Sequence, residues 1–312
     1  MIERSSIYYR QVELLLAVLP HISSESCFAL KGGTAINMFV RDMPRLSVDI
    51  DLVYLPIEER RSSLEHIASA LERIAQKIEK GLRGSKVHRL KQREDEILSK
   101  LQVQKDTVRI KIEISPVMRG TVKEPILRAV TPRVEDLFGY GEILVTHPDD
   151  LYAGKICAAL DRQHPRDFFD IRGLLDHGGV HKDLMDVFIV YLISSNQPIS
   201  KLLSPNRIDI RHTFEAQFVG MTVEPVDLKV LTDTREELIT LLHQSLTPQH
   251  RRFLLGFKKG DPDWSLLPFE NVHELPSVKW KMLNLKKMDK QKRTEALEKL
   301  ENTLDNKSIK SG

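Results

Sequence analysis

Two carboxylates stand two residues apart in the run Val48-Asp49-Ile50-Asp51-Leu52. The apolar neighbours at alternate positions predict a strand from Val48 to Tyr54, and on a strand such acids emerge on one face. Like charges held that close need an opposing charge. A divalent cation, Mg²⁺ or Mn²⁺, supplies it, because such ions take carboxylate oxygens together with substrate phosphates. Upstream stands Lys31-Gly32-Gly33-Thr34. Glycines let a backbone approach a phosphate closely, and a helix starting there offers free N–H groups and the positive end of its dipole. Thr34 adds a hydroxyl. Ser47, two before Asp49, shares the aspartates' face, so a phosphate placed on it would repel a nucleotide and make it a regulatory point. Arg41 and Arg45 precede the acids, either touching phosphate or RNA or simply lying on the surface. A phosphate cradle beside a metal clamp is the equipment for nucleotidyl transfer, in which metal ions stabilise the attacking and leaving oxygens. Each part alone has a plainer reading: Gly-Gly as a turn, Asp-x-Asp as a solvated strand edge. Their conjunction carries the functional reading. No Gly-Lys-Ser/Thr follows, so this is not a Walker loop.

The elements that must position these residues follow from periodicity. Residues 3–19 read as an amphipathic helix and 27–31 as a short strand stopped by the glycines. Residues 34–41 form one or two helical turns. From 58 to 82, Leu64, Ile67, Leu71, Ile74, Ile78 and Leu82 recur at helical spacing, so this helix covers a sheet. Strands follow at 101–104 and 108–115. The second alternates strictly, with Val108, Ile110, Ile112 and Ile114 on one face and Arg109, Lys111 and Glu113 on the other, which offers Glu113 as a third metal-binding carboxylate. Pro148, Asp149 and Asp150 open a helix that runs to Arg162. A second helix follows from Arg166 to Asp176, with others at 181–194 and 233–245. Residues 196–232 and 256–278 read as irregular. The fold class is α+β, with a mixed sheet covered by helices and then a mainly helical half. The domains are 1–140, an α/β core; 141–255, a helical domain; and 256–312, an irregular segment with a basic tail.

The composition, 41% hydrophobic and 29% charged over 312 residues, is that of a globular protein with a real core. The net charge of +3 is unevenly placed: residues 279–312 hold ten Lys/Arg against five Asp/Glu. That tail, with Lys86, His88, Arg89, Lys91 and Arg93, suits either a polyanion such as RNA or plain solvation. The 86–93 patch has no aromatics for base stacking. Cys27 and Cys157 stand far apart and suggest neither a metal site nor a redox pair. A reducing, cytoplasmic compartment is expected. No run approaches the ~20 apolar residues that cross a bilayer, and no membrane partner is expected. His177 and His181 are read as loop residues rather than metal ligands.

Leu30-Lys31-Gly32-Gly33-Thr34-Ala35, with Leu46-Ser47-Val48-Asp49-Ile50-Asp51-Leu52, resembles the signature of the DNA polymerase β-like nucleotidyltransferases. It is closest to the AbiEii/AbiGii toxin branch, whose relatives include MenT-type tRNA-modifying toxins. Asp150-Leu151-Tyr152-Ala153-Gly154-Lys155 through Arg162, then Pro165-Arg166-Asp167-Phe168-Phe169-Asp170, is similar to the family's downstream helix pair. It departs at Gly154, where a helix former is commoner. The resemblance implies that Asp49 and Asp51 bind metal and that Gly32, Gly33 and Thr34 take the triphosphate. Lys155 would hold the triphosphate or neutralise developing charge, and Asp167 would act as a base or position Lys155. It further implies an NTP substrate, a tRNA 3′-end acceptor, inhibition of translation and a cognate antitoxin within a toxin–antitoxin or phage-defence system.

The second block also reads on its own. Lys155 and Arg162 share one helix face, as a site for an anion would need, and Asp167 and Asp170 share a face of the next helix. The same four residues could equally form a salt-bridge network between adjacent helices. Three other functions are open: the same chemistry on a small molecule such as an antibiotic, a non-catalytic nucleotide- or antitoxin-binding module, or a phosphohydrolase. The joint presence of Asp49, Asp51, Glu113 and Lys155 argues against a degenerate site.

Overall fold

The computed structural model describes residues 6–91 and 97–305. It forms two compact units, Met1–Leu151 with Gly220–Pro225, and Tyr152–Val219 with Val226–Gly312.

The first unit is built on a seven-stranded mixed sheet: β1 (Phe28–Lys31), β2 (Asp49–Tyr54), β3 (Ser85–Lys91), β4 (Leu98–Lys105), β5 (Val108–Ile114), β6 (Ile126–Ala129) and β7 (Glu142–Val145). Their spatial order is β3-β4-β5-β2-β1-β7-β6. β2 runs parallel to β5 and β1 parallel to β7, while the other pairs are antiparallel. One face carries Ile50, Leu52, Leu101, Val103, Ile110 and Ile112, all buried. Helix α1 (Ile7–Ser23) packs on β5 and β7, and α3 (Arg60–Gly81) on β3, β4 and α1; α2 (Gly32–Ala35) lies against β1 and β2. The expected stripe of α3 holds, with Leu64, Ile67, Leu71, Ile74 and Ile78 all buried, each worth about 1.5–3 kcal/mol of transfer free energy. Leu82, the last of the six, caps the helix instead of lying in it. Helix α4 (Pro132–Phe138) precedes β7.

The basic patch expected at 86–93 lies on strand β3 as far as Lys91, with Lys86, His88 and Lys91 exposed; Arg93 lies outside the described residues. Arg89 is committed within the chain. Its guanidinium donates to Glu72 and Glu79 of α3 at 2.8–3.0 Å. The two acids lie seven residues apart and so share a helix face.

Helix α5 (Pro148–Arg162) carries the chain into the second unit. That unit is helical: α6 (Pro165–Leu175), α7 (Lys182–Ser194), α8 (Ile199–Leu203), α9 (Arg211–Gln217), α10 (Leu228–Ser245), α11 (Pro248–Lys259), α12 (Pro276–Lys287) and α13 (Lys290–Leu304). The segments expected to be irregular, 196–232 and 256–278, include α8, α9 and the end of α11. The expected tail is corrected too: α12 and α13 bury Val278, Leu285, Leu300 and Leu304, and α13 packs on α11 and α8. Its basic residues hid an apolar stripe too sparse to read as a core element. Residues 306–312 of the tail, and 3–5 of the first predicted helix, lie outside the described residues. No described helix is long and apolar enough to cross a membrane.

Candidate functional site

In the first unit, register brings the chemistry together. Lys100 of β4 pairs with Glu113 of β5, Glu113 with Asp51 of β2, and Asp51 with Lys31 of β1. The row across four strands therefore reads cation, acid, acid, cation on the face away from α1 and α3. Asp49, one step along on the same face, pairs with Lys111. A cavity of about 370 Å³ opens here, lined by Lys31, Asp51, Ser99, Lys100, Glu113 and Ser115 among others. Glu113 is already engaged, its carboxylate accepting from the Lys100 ammonium at 2.8 Å. Among the described residues no three His, Cys, Asp or Glu side chains are grouped so as to hold a metal ion. The pair Asp49 and Asp51 is thus the core of the arrangement.

The glycines are required where they stand. Gly32 has φ +76°, and a Cβ there would lie 2.5 Å from the Asp51 Oδ2 atom. Only glycine takes that backbone conformation at no steric cost and leaves the carboxylate room. At Gly33 a Cβ would come within 2.7 Å of the Arg45 guanidinium and 3.1 Å of Ser47 Oγ. After α2 the helix continues as one π turn, Ile36–Val40, a form concentrated at functional sites.

Thr34 and Ser47 act first as a brace. Both are buried; the Thr34 hydroxyl donates to the Asp49 carbonyl and lies 3.0 Å from Ser47 Oγ. A hydroxyl has one proton, so Ser47 is the donor between them. The bond ties the start of α2 to the start of β2 and fixes the acids against the glycine turn. The surface alternative for Arg45 is corrected. It is 2% exposed, donates from Nη1 to the Leu46 carbonyl at 2.9 Å, and is bridged through its backbone to Thr222. The short return segment Gly220–Pro225 holds this stretch, with Met221 accepting from the Leu46 N–H and Val223 donating to Pro44. Nothing in the local sequence around Arg45 signals a partner some 175 residues away.

In the second unit, the four charged residues of α5 and α6 form a network. Lys155 Nζ lies 3.0 Å from Asp167 Oδ1 and 2.9 Å from Asp170 Oδ2. Arg162 grips Asp167 with two hydrogen bonds, of 2.6 and 2.9 Å. Burial pushes the Asp167 carboxyl up, but the Lys155 charge and the Arg162 hydrogen bonds outweigh it and hold the group well below the usual carboxylate range. Lys155 is 6% exposed, whereas the Arg162 side chain is 61% exposed. Gly154, the departure from the family pattern, does not break α5. A Cβ there would meet the Tyr191 ring at 3.3 Å, so the glycine lets α5 and α7 pack closely. His181 caps α7 and His177 contacts the Gly173 carbonyl, both as loop residues.

Among solved structures, the nucleotidyltransferase toxin MenT4 from Mycobacterium tuberculosis H37Rv is similar, with a TM-score of 0.57 and 15% identity over 96% of this chain and 94% of that one. At that identity the likeness speaks for the fold alone. Among curated proteins none matches. The profile of the nucleotidyl transferase AbiEii toxins of type IV toxin–antitoxin systems matches residues 13–282. Membership implies an NTP substrate and an antitoxin partner. The chain belongs to the AbiEii family of nucleotidyltransferase toxins.

Proposed function

We propose that the chain transfers a nucleoside monophosphate from an NTP to the 3′ end of tRNA in the cytoplasm, which blocks aminoacylation and halts translation. The acceptor hydroxyl oxygen attacks the α-phosphorus. The bond to the β-phosphate oxygen breaks, pyrophosphate leaves, and the acceptor proton passes to solvent or to a nearby carboxylate. One observation carries this reading: Asp49 and Asp51 share a strand face at the point where the Gly32 backbone closes on the Asp51 carboxylate.

The donor set suits Mg²⁺ or Mn²⁺, being two carboxylates beside backbone that can approach phosphates. Asp49 and Asp51 would hold the ion, which supplies neutralising charge to the triphosphate. Glu113 joins them only if it leaves Lys100. Lys31 and the N–H groups of Gly32 and Gly33 contact phosphate oxygens, while Thr34, Ser47 and Arg45 keep that cradle in shape. A regulatory role for Ser47 would require its buried hydroxyl to become accessible. The family resemblance assigns Lys155 to the triphosphate or to developing charge and Asp167 to acting as a base or to positioning Lys155; Arg162, which shares the helix face of Lys155, is the further candidate for phosphate. For either role, Lys155 must exchange one aspartate for the ligand. The tRNA acceptor rests on the resemblance as well.

The test is to incubate the protein with total RNA, Mg²⁺ and each α-labelled NTP. Label at the 3′ end of tRNA is the expected result. Label on a small molecule, with RNA untouched, would replace the acceptor. Release of inorganic phosphate without transfer would overturn the reading.

A further inference from the structure

The second unit holds a large cavity, about 720 Å³, between α8, α11 and α13. That volume lies within the range of small-molecule sites, about 300–1,000 Å³. Its lining mixes apolar surface with polar groups: Ser200, Ser204, Asn206 and Asn302 border it, as do Lys258 of α11 and the exposed Lys201 and Lys299. Three cations gather at this end of the unit. Lys281 of α12 donates to the Ser195 and Gln197 carbonyls, and Arg293 of α13 to the Leu285 and Met288 carbonyls. Both are thus held by backbone, but carbonyl oxygens carry no net charge to cancel theirs. Lys258 is half-buried and has no hydrogen-bond or ion-pair partner among the described residues.

The cavity's two carboxylates do not supply the missing charge. Glu295 and Glu298 are exposed on α13, where solvent screens them. The strain of uncompensated charge registers in the lysines. Burial and the nearby Arg293 push Lys258 down, and burial with Lys258 pushes Lys281 down to about 8. A half-buried, unspent ammonium that borders a cavity of ligand size, with two further cations near it, calls for an anion with several oxygen acceptors.

We propose that this cavity is a second ligand site of the chain, which takes a phosphate-bearing molecule up to mononucleotide size with Lys258 as its charge-neutralising contact. The site is independent of the carboxylate edge in the first unit and of the reading proposed for it. A phosphoryl group seats against Lys258, and the hydroxyls and amides of the lining serve either a nucleoside or the waters that replace it.

The experiment is calorimetric titration of the full chain with inorganic phosphate and with AMP, in EDTA so that metal-dependent nucleotide binding in the first unit contributes nothing. Saturable binding of at least one probe is expected, weakened by at least about tenfold in Lys258→Met and unchanged in Asp51→Asn. AMP bound more tightly than phosphate identifies a nucleotide; equal affinities identify the phosphoryl group alone. Absence of saturable binding to the wild type, or equal binding by Lys258→Met, overturns the proposal, as does binding lost in Asp51→Asn and kept in Lys258→Met. Should Lys258→Met fail to fold, Ser204→Phe serves instead. It narrows the cavity and leaves the cation, so it should lose AMP by a similar factor, and undiminished AMP binding there overturns the site.

Discussion

The two charged clusters of this chain use the same residue types to opposite ends. In the second unit, Lys155 and Arg162 meet Asp167 and Asp170, so two cations face two anions and the buried network is balanced from within. In the first unit, Asp51 stands half-buried next to Asp49, and it is in no ion pair among the described residues. Its strand neighbour Lys31 is equally unspent, and Glu113 is taken by Lys100. A cluster whose charges are paired with one another stabilises a fold, whereas Asp51 and Lys31, which are in no ion pair among the described residues, are available to a ligand. By that contrast the carboxylate edge is the stronger catalytic candidate, and the Lys155 network has a structural role whatever else it does.

Substitutions can break this contrast. The largest effect expected is on activity: Asp49→Ala or Asp51→Ala should lower nucleotide transfer by about 10³-fold or more, abolish growth inhibition on expression, and leave the melting temperature almost unchanged. Wild-type toxicity in either variant would remove the acids from the mechanism. Lys155→Ala should act on stability first. It removes the ammonium shared by two buried carboxylates, of which Asp167 keeps Arg162, a loss of about 3–5 kcal/mol, read in urea unfolding. If the folded fraction at low temperature also loses about 10²-fold in activity, Lys155 serves the phosphates too; full activity there confines it to the fold.

Acid sharpens the same comparison. The folded Asp167 carboxyl titrates below its ordinary value of 3.8, so its contribution is complete above that pH and is lost progressively as pH falls further. Asp167→Asn should therefore be less stable than wild type at pH 6, with the gap closing in strong acid; a gap that widens in acid would contradict the assignment. Gly32→Ala should fold with a penalty of about 1–3 kcal/mol and transfer about tenfold or more slowly, because the added carbon displaces the Asp51 carboxylate. The smallest change is expected for Glu113→Gln, a half-exposed ion pair worth about 1 kcal/mol or less. A loss of activity as large as that of Asp51→Ala would make Glu113 a metal ligand after all.

What could be read from the sequence divides along the range of the contacts. The α3 stripe, the alternation of β5 and the shared face of Asp49 and Asp51 are local periodicities, and all three stand in the structure. β3 hid because Val87 is its only buried side chain, so Lys86, His88 and Arg89 read as a basic patch and not as a strand. The partners of Arg89 lie on the side of α3 that reads as solvent. Arg45 was misjudged as a possible surface residue because what buries it is chain from residues 220–225. Asn206 and Lys258 meet at one cavity only through helix packing that no spacing encodes. The rule that Lys155 and Arg162 share a face was right, and the ion-pair alternative it left open is what the structure contains.

The most direct test of the central claim is pyrophosphate release coupled to label transfer, compared between wild type and Asp51→Asn with Mg²⁺ and the preferred NTP. Equal amounts of pyrophosphate and transferred nucleotide from the wild type, with both lost in a normally folded Asp51→Asn, is the result predicted here. Undiminished transfer by Asp51→Asn would contradict it.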